Sequence, residues 1–136
     1  MFSKLHELEE LADLHIVAGD FFDKVPSLEE LELYYEFVSG CECNTIIIPG
    51  NHEAIKKGTT FFSYLKSITN KLNSKVRVID EFHTEYGIDF IPYNMLKQYH
   101  PADIDFHSDT LVTHVRGEIP PHVKPEVDLS IFDRWK

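Results

Sequence analysis

The amino-acid sequence predicts an α/β domain in which helices flank a layered sheet. Short apolar runs at residues 14–18 and 45–48 each lead into a glycine-containing turn, as strands commonly do. Between them, Ser27-Leu-Glu-Glu30 has the form of a capping box and opens a helix that Gly40 would end. Strands and helices that alternate in this way form parallel sheets with right-handed crossovers.

The other elements are predicted from local patterns. Residues 3–11 indicate a helix with leucines on one face and glutamates, expected in solvent, on the other. Three consecutive isoleucines at residues 46–48 indicate a strand buried on both faces, which is typical of parallel sheets. Thr59 or Thr60 is the predicted cap of a third helix that runs to Leu72. Further predicted elements are strands at residues 76–79, 81–86, 88–91 and 111–115, a short helix near Met95, and an irregular tail over residues 118–136.

The size and charge of the chain restrict its possible functions. Its 136 residues fit one domain, residues 1–136, and its 43% hydrophobic content is ordinary for a globular protein. The formal net charge of −10 disfavours a module that binds nucleic acid by bulk attraction, because such modules present a basic face. A metal-dependent nuclease remains compatible with this charge, since bound divalent ions change the local sign.

The composition also predicts a cytoplasmic protein. No apolar run approaches the ~18 residues of a membrane span, and the first residues lack the charged-then-apolar order of a signal peptide. Cys41 and Cys43 cannot by themselves supply the ligands of a four-cysteine zinc site. We expect both to be reduced thiols near a helix end.

Three polar motifs follow predicted strands. They are Gly19-Asp-Phe-Phe-Asp23, Gly50-Asn-His-Glu53 and Thr113-His114. Ligands of open α/β sheets bind beyond the carboxyl ends of the strands, and one βαβ crossover commonly makes Asp20 and Asn51 neighbours in space. A carboxylate, an amide oxygen and an imidazole together suit a divalent transition metal.

The first two motifs resemble the calcineurin-like metallophosphoesterase family, whose pattern contains GDxxD and then GNH[DE]. The resemblance implies a metallophosphoesterase-type sheet and two divalent metal ions, with manganese expected and iron or zinc as alternatives. Asp20 would bridge the two metals, and Asn51 and His114 would bind the second. His52 would protonate or stabilise the leaving oxygen, and Asp23 would hydrogen-bond and orient His52.

Within that family the chain is most similar to SbcD-type nuclease subunits and their phage relatives in recombination and repair. The similarity lies at residues 114–122 and 128–136. It implies DNA as the substrate and an SbcC-like ATPase as a partner. The family's protein phosphatases carry an arginine after each of the two motifs, where this chain has Lys24 and Ala54, which disfavours a phosphomonoesterase of that branch.

Two motifs of the family pattern, D-x-H and GHxH, have no matching counterpart here, so we expect a partial domain that is incomplete at both ends. Asp13-Leu-His15 has the letters of the first motif but lies at the start of the strand that leads to Asp20. At ~3.3 Å per residue, His15 is too far from Asp20 to share a metal with it. The activity of this chain alone is therefore in doubt. Three alternatives follow for an incomplete domain. A second chain complements it, it self-associates through unpaired strand edges, or it is catalytically incomplete and serves to bind a partner.

Simpler interpretations exist for each candidate residue. Asp20 and Asp23 have the composition of a turn, Asn51-His52 could be another turn, and His114 could be a core histidine bonded to the backbone. The other histidines show no ligand spacing and are predicted to lie at the surface; they are His6, His83, His100, His107 and His122.

Overall fold

The computed structural model describes residues 2–116 and 124–135. Its three α-helices are α1 (Ser3–Glu9), α2 (Leu28–Gly40) and α3 (Phe62–Leu72). Its strands are β1 (Leu14–Ala18), β2 (Asn44–Ile48), β3 (Ala54–Lys56), β4 (Thr59–Thr60), β5 (Val76–Val78), β6 (His83–Glu85), β7 (Ile88–Ile91) and β8 (Thr110–Thr113). Two 3-10 helices lie at Tyr93–Gln98 and Leu129–Trp135.

The first sheet has the strand order β1-β2-β5, and all of its strands are parallel. Helix α2 connects β1 to β2, and α3 lies between β2 and β5 along the chain. Ala18 pairs with Ile48, so the last residues of β1 and β2 stand side by side. The loops that follow these two strands therefore begin at the same edge of the sheet.

The side chains of β2 connect the layers of the structure. Ile47 faces the core formed with α2, α3 and β5, whereas Ile46 and Ile48 face Phe90 of a second sheet. All three isoleucines are fully buried, which confirms the prediction of burial on both faces. The architecture is thus a helical layer, a parallel sheet and a second sheet, in that order.

The second sheet has the order β6-β7-β8. Strands β6 and β7 form an antiparallel hairpin whose turn contains Gly87 at a φ of 69°, and β8 is parallel to β7. Residue Ile91 pairs with Thr113, so His114 leaves the sheet immediately beyond its last paired position. Within the part of the chain that the structure describes, none of the helices has the length and apolar character that a membrane crossing requires.

The first residues of α2 and α3 can be compared with the helix caps predicted from the sequence. Ser27 caps α2 as predicted, and its side-chain oxygen accepts the Glu30 N–H at 3.2 Å. The predicted cap of α3 is wrong, because Thr59 and Thr60 belong to β4 and the helix begins at Phe62. Strand β4 pairs with β3, so those threonines are used in a hairpin instead.

The structure corrects two further expectations. The leucine face of α1 is exposed (Leu5 36%, Leu8 54%), and the buried side chain of this helix is Glu9. The tail contains the 3-10 helix Leu129–Trp135, which is held by packing of Trp135 on Tyr99 and Phe106. Residues 117–123, including His122, lie outside the described residues.

Helices α2 and α3 are joined by a buried hydrogen bond between Tyr34 Oη and Thr69 Oγ1, at 2.6 Å. We expect Tyr34→Phe to lower the free energy of unfolding by about 1–2 kcal/mol, because it leaves the Thr69 hydroxyl without its partner. Adding Thr69→Val should recover part of that loss. The measurement is urea denaturation, with Tyr64→Phe as the control because Tyr64 is 69% exposed on α3. Strict additivity of the two substitutions would contradict the interpretation.

Candidate metal centre

The candidate centre lies where the ends of three strands meet. Asp20 follows β1, Asn51 follows β2 after a Pro-Gly turn, and His114 follows β8. The first two strands belong to the parallel sheet and the third to the second sheet. The centre therefore bridges the two layers at their carboxyl edges, as expected for a ligand site in an α/β structure.

Three donor atoms converge at this point. His114 Nε2 is 2.8 Å from Asn51 Oδ1 and 3.3 Å from Asp20 Oδ2. Two ligands of one metal ion, each ~2.1 Å from it and 90–109° apart, are separated by roughly 3.0–3.4 Å. The separations in this structure are close to those of a coordination shell. The structure thus brings together the three residues predicted as metal ligands.

The orientation of His114 supports the same conclusion. Its Nδ1 is 3.1 Å from the carbonyl oxygen of Ala18, so a proton on Nδ1 donates to that carbonyl. In the neutral imidazole this proton leaves Nε2 with a lone pair facing the oxygens of Asp20 and Asn51. Lone pairs facing one another repel unless a cation lies between them. The donor set therefore fits a divalent metal ion, with Ala18 fixing the ring as outer-shell carbonyls commonly do.

Two glycines make this convergence possible. Gly19 has a φ of +92°, and a Cβ at that position would collide with the imidazole of His114. A Cβ on Gly50 would collide with the carboxylate and backbone N of Asp20. Asp20 itself has a φ of 52°, in the left-handed region that a short polar side chain tolerates. The glycines of both motifs are needed because two loops and an imidazole share one small space.

Glu53 holds the two loops together. Its carboxylate is fully buried and accepts N–H groups from Phe22 and Gly50 at 2.9 Å and from Asp20 at 3.2 Å. The loops after β1 and β2 are therefore fixed to one carboxylate. No role is predicted for Glu53 from the sequence beyond its place in the motif, although a glutamate in a glycine turn after a buried strand is the signal that points to it.

His52 and Asp23 lie beside the three donors and are more exposed. The His52 N–H donates to Asp20 Oδ1 at 3.0 Å, and its Nδ1 lies 3.6 Å from Asp23 Oδ1 and 3.8 Å from Asp20 Oδ2. Both Nδ1 separations exceed the ~2.7–3.2 Å of a hydrogen bond. The side chains of His52 and Asp23 are 46% and 90% exposed, so both are free to adjust when a substrate binds.

Asp13 and His15 lie away from this centre. His15 is near the start of β1, and its Nδ1 contacts Glu9 Oε1 at 3.1 Å. Asp13 is exposed and precedes the strand. The Asp-Leu-His sequence thus lies at the opposite end of β1 from Asp20.

Tyr93 is a neighbour of the centre that sequence reasoning missed. Its ring lies edge-on to that of His114 with the centroids 6.2 Å apart, and its N–H donates to the carbonyl of Pro49. Its hydroxyl donates to Glu126 at 2.9 Å. Burial, followed by the carboxylate of Glu126, raises the pKa of Tyr93 above its usual value, so the phenol stays protonated. No local sequence signal identifies this residue, because its contacts are distant in sequence.

The α/β fold is that of the metallophosphoesterase class. The family model of calcineurin-like phosphoesterases matches residues 2–132, and the chain belongs to this family. A curated relative, the probable exonuclease subunit 1 of Escherichia phage T5, is 38% identical over 125 residues. The match covers 89% of this chain and 37% of that relative, so the chain spans little more than a third of its length. No solved structure gives a significant match.

We expect Glu53→Gln to lower the free energy of unfolding by about 2–3 kcal/mol, because an amide replaces a carboxylate that accepts three N–H groups. Manganese affinity should fall as well, since the loops carrying Asp20 and Asn51 lose their common anchor. Chemical denaturation and calorimetry measure the two effects. Glu81→Gln, at an exposed position, is the matched control and should change stability by less than about 0.5 kcal/mol. Equal effects of the two substitutions would refute the role of Glu53.

Proposed function

We propose that this chain provides part of the catalytic centre of a metal-dependent DNA nuclease of the recombination and repair type. The observation that carries the proposal is the convergence of Asp20, Asn51 and His114 within 2.8–3.3 Å at His114 Nε2. Membership in the phosphoesterase family supports hydrolysis of a phosphate ester. The printed name of the phage relative, an exonuclease subunit, supports a phosphodiester in nucleic acid as the substrate.

Each residue has a task that follows from its position. Asp20, Asn51 and His114 would hold the metal, with manganese preferred in our proposal and iron or zinc as alternatives. A divalent ion there supplies charge that polarises a phosphoryl oxygen. His52 is exposed beside this point, with carboxylate oxygens 3.6 and 3.8 Å from its Nδ1, and is placed to give a proton to the leaving oxygen. Asp23 would complete its hydrogen bond to His52 when substrate excludes water.

A lysine groove next to the centre supports a nucleic-acid substrate. Lys56, Lys57 and Lys97 line a cavity between the β3–β4 hairpin and the 3-10 helix Tyr93–Gln98. Tyr93 also lines this cavity and its ring lies edge-on to that of His114, so the cavity neighbours the metal centre. Three cations in one groove of a chain with a net charge of −10 form a local site for a phosphate backbone.

Partners are part of the same proposal. The relative is named as a subunit, and strand β1 pairs only with β2 among the described residues, so one sheet edge is open. An open edge favours association with another strand, whether from a second copy or from a complementing chain. We propose an SbcC-like ATPase as the functional partner. The free thiols of Cys41 and Cys43 support a reducing compartment such as the cytoplasm.

Manganese binding tests the centre itself. We expect calorimetric titration of Mn²⁺ into the chain to show saturable binding that Asp20→Ala and Asn51→Ala abolish, because each removes one of three converging donors. His107→Ala is the matched control, since His107 is an exposed histidine that contacts only Asp105 among the ion pairs of the described residues. Unchanged binding in Asp20→Ala would contradict the assignment.

Hydrolysis tests the reaction. Manganese-dependent cleavage of bis-nitrophenyl phosphate in preference to mono-nitrophenyl phosphate would support a diesterase, and DNA cleavage would support the nuclease. Metal binding without hydrolysis would favour the alternative, in which the chain is a catalytically incomplete subunit that binds a partner. Preference for the monoester would contradict the proposed substrate class.

We expect the combined substitutions Lys56→Ala, Lys57→Ala and Lys97→Ala to weaken DNA binding and to reduce the slope of log affinity against log salt by about 2–3. For each lysine removed, the DNA releases about one counterion fewer when the protein binds. Fluorescence anisotropy of labelled DNA at several salt concentrations, with a chelator present to prevent cleavage, measures the slope. The control removes the same charge elsewhere, at the exposed Lys4, Lys71 and Lys124. Equal slopes in the two triple variants would rule out the groove.

A further inference from the structure

A second cluster of metal-binding residues lies near the start of β1, away from the candidate centre. Glu9 lies at the centre of this cluster and is only 4% exposed, although it belongs to a short surface helix. Oε1 of Glu9 is 3.1 Å from Nδ1 of both His6 and His15, and Oε2 accepts the Glu42 N–H at 2.7 Å. Two imidazoles on separate elements thus direct a nitrogen at one carboxylate oxygen.

This carboxylate is a buried anion that lacks a strong cationic partner. The ion pairs of Glu9 within the described residues involve histidines and no lysine or arginine. Burial raises the pKa of Glu9, but the hydrogen bonds from Glu42 N–H, His6 and His15 together leave it below its usual value. Glu9 is therefore ionised at neutral pH. A buried carboxylate is costly unless a cation or protonated partners balance its charge.

Cys41 adds a soft donor to the same place. It follows the last residue of α2, is 4% exposed, and donates its S–H to the carbonyl of Phe37 at 3.3 Å. The donor atoms of His6, Glu9 and Cys41 all lie within 4.8 Å of one another. Burial, and after it the charge of Glu9, raises the pKa of the Cys41 thiol to about 12. A divalent ion reverses this effect, because a thiol that coordinates a metal loses its proton.

We propose that His6, Glu9 and Cys41 bind a zinc-class divalent cation, with water at a fourth position and His15 holding the Glu9 carboxylate in place. Nitrogen, oxygen and sulfur donors together suit Zn²⁺. Ligands of one tetrahedral zinc ion are roughly 3.3–3.8 Å apart, so the side chains close by about an ångström on binding. The Cys41 proton is released to solvent as its sulfur bonds the ion.

The position of the site shows what the ion would do. His6 and Glu9 come from α1, whereas Cys41 lies in the turn between α2 and β2. Helix α1 has an exposed leucine face and a single buried side chain, and its aromatic anchoring is the packing of Phe2 and the His6 ring on Phe37. Zinc would fasten this helix to the first sheet. His15 and Asp20 are five residues apart along an extended strand, about 16 Å, so the two metal sites are separate.

Cobalt(II) distinguishes this site from the candidate centre, because only this site contains a thiol. We expect Co²⁺ titrated into the Asp20→Ala protein to give a sulfur-to-cobalt charge-transfer band that saturates at one equivalent. Cys41→Ser should remove the band, and the matched variant Cys43→Ser should keep it. An absent band, or one that depends on Cys43, would overturn the proposal whether or not the nuclease assignment holds.

Zinc competition with a chromophoric chelator, also in the Asp20→Ala protein, provides the second measurement and does not depend on the fold of a cysteine variant. His6→Ala removes a ligand whose side chain is 17% exposed and should weaken binding by at least about tenfold. His15→Ala removes only the residue that orients Glu9, and a loss of about 10–100-fold is expected. Zinc affinity equal to that of the Asp20→Ala protein in both variants would refute the ligand set, and circular dichroism checks that each variant is folded.

Discussion

The carboxylate of Glu53 accepts N–H groups from two loops, and the geometry of the centre depends on this arrangement. A fully buried carboxylate must have its oxygens satisfied, and here Asp20, Phe22 and Gly50 satisfy them. These N–H groups belong to the turns after β1 and β2, so the two turns cannot move independently. The side chains of Asp20 and Asn51 are positioned as a consequence of this backbone constraint, and His114 then meets them from the other sheet.

The second sheet has a defined part in this arrangement. Its contact with β2 is made by Ile46, Ile48 and Phe90, all fully buried. The parallel pairing of β8 with β7 places the residue after Thr113 at the carboxyl edge that the first sheet also presents. The centre thus uses ordinary features of parallel strands. What is particular to this chain is the polar residues that follow each strand, and the glycines that let them approach.

The elements that the sequence predicted well are those specified by neighbouring residues. Ser27 caps the helix that follows it, and the run of isoleucines in β2 correctly predicts a buried strand. The two glycine motifs identified the centre because each is contiguous. The failures have one cause: Glu9, Tyr93 and Trp135 owe their positions to partners distant in sequence, such as Glu42 for Glu9 and Asp89 for Trp135. Likewise, Thr59 and Thr60 have helix-capping chemistry, but pairing of β4 with β3 decides their structure. Tertiary contacts of this kind override local preference.

The hydrogen bond between His114 and the carbonyl of Ala18 joins a residue of the second sheet to the last residue of β1. It makes the spacing between the two sheets part of the coordination geometry. Any change in how the layers pack, even at Phe90 in the middle of the interface, alters the distance from His114 to Asp20 and Asn51. In this architecture the hydrophobic interface acts as a spacer that sets the separation between His114 and the side chains of Asp20 and Asn51.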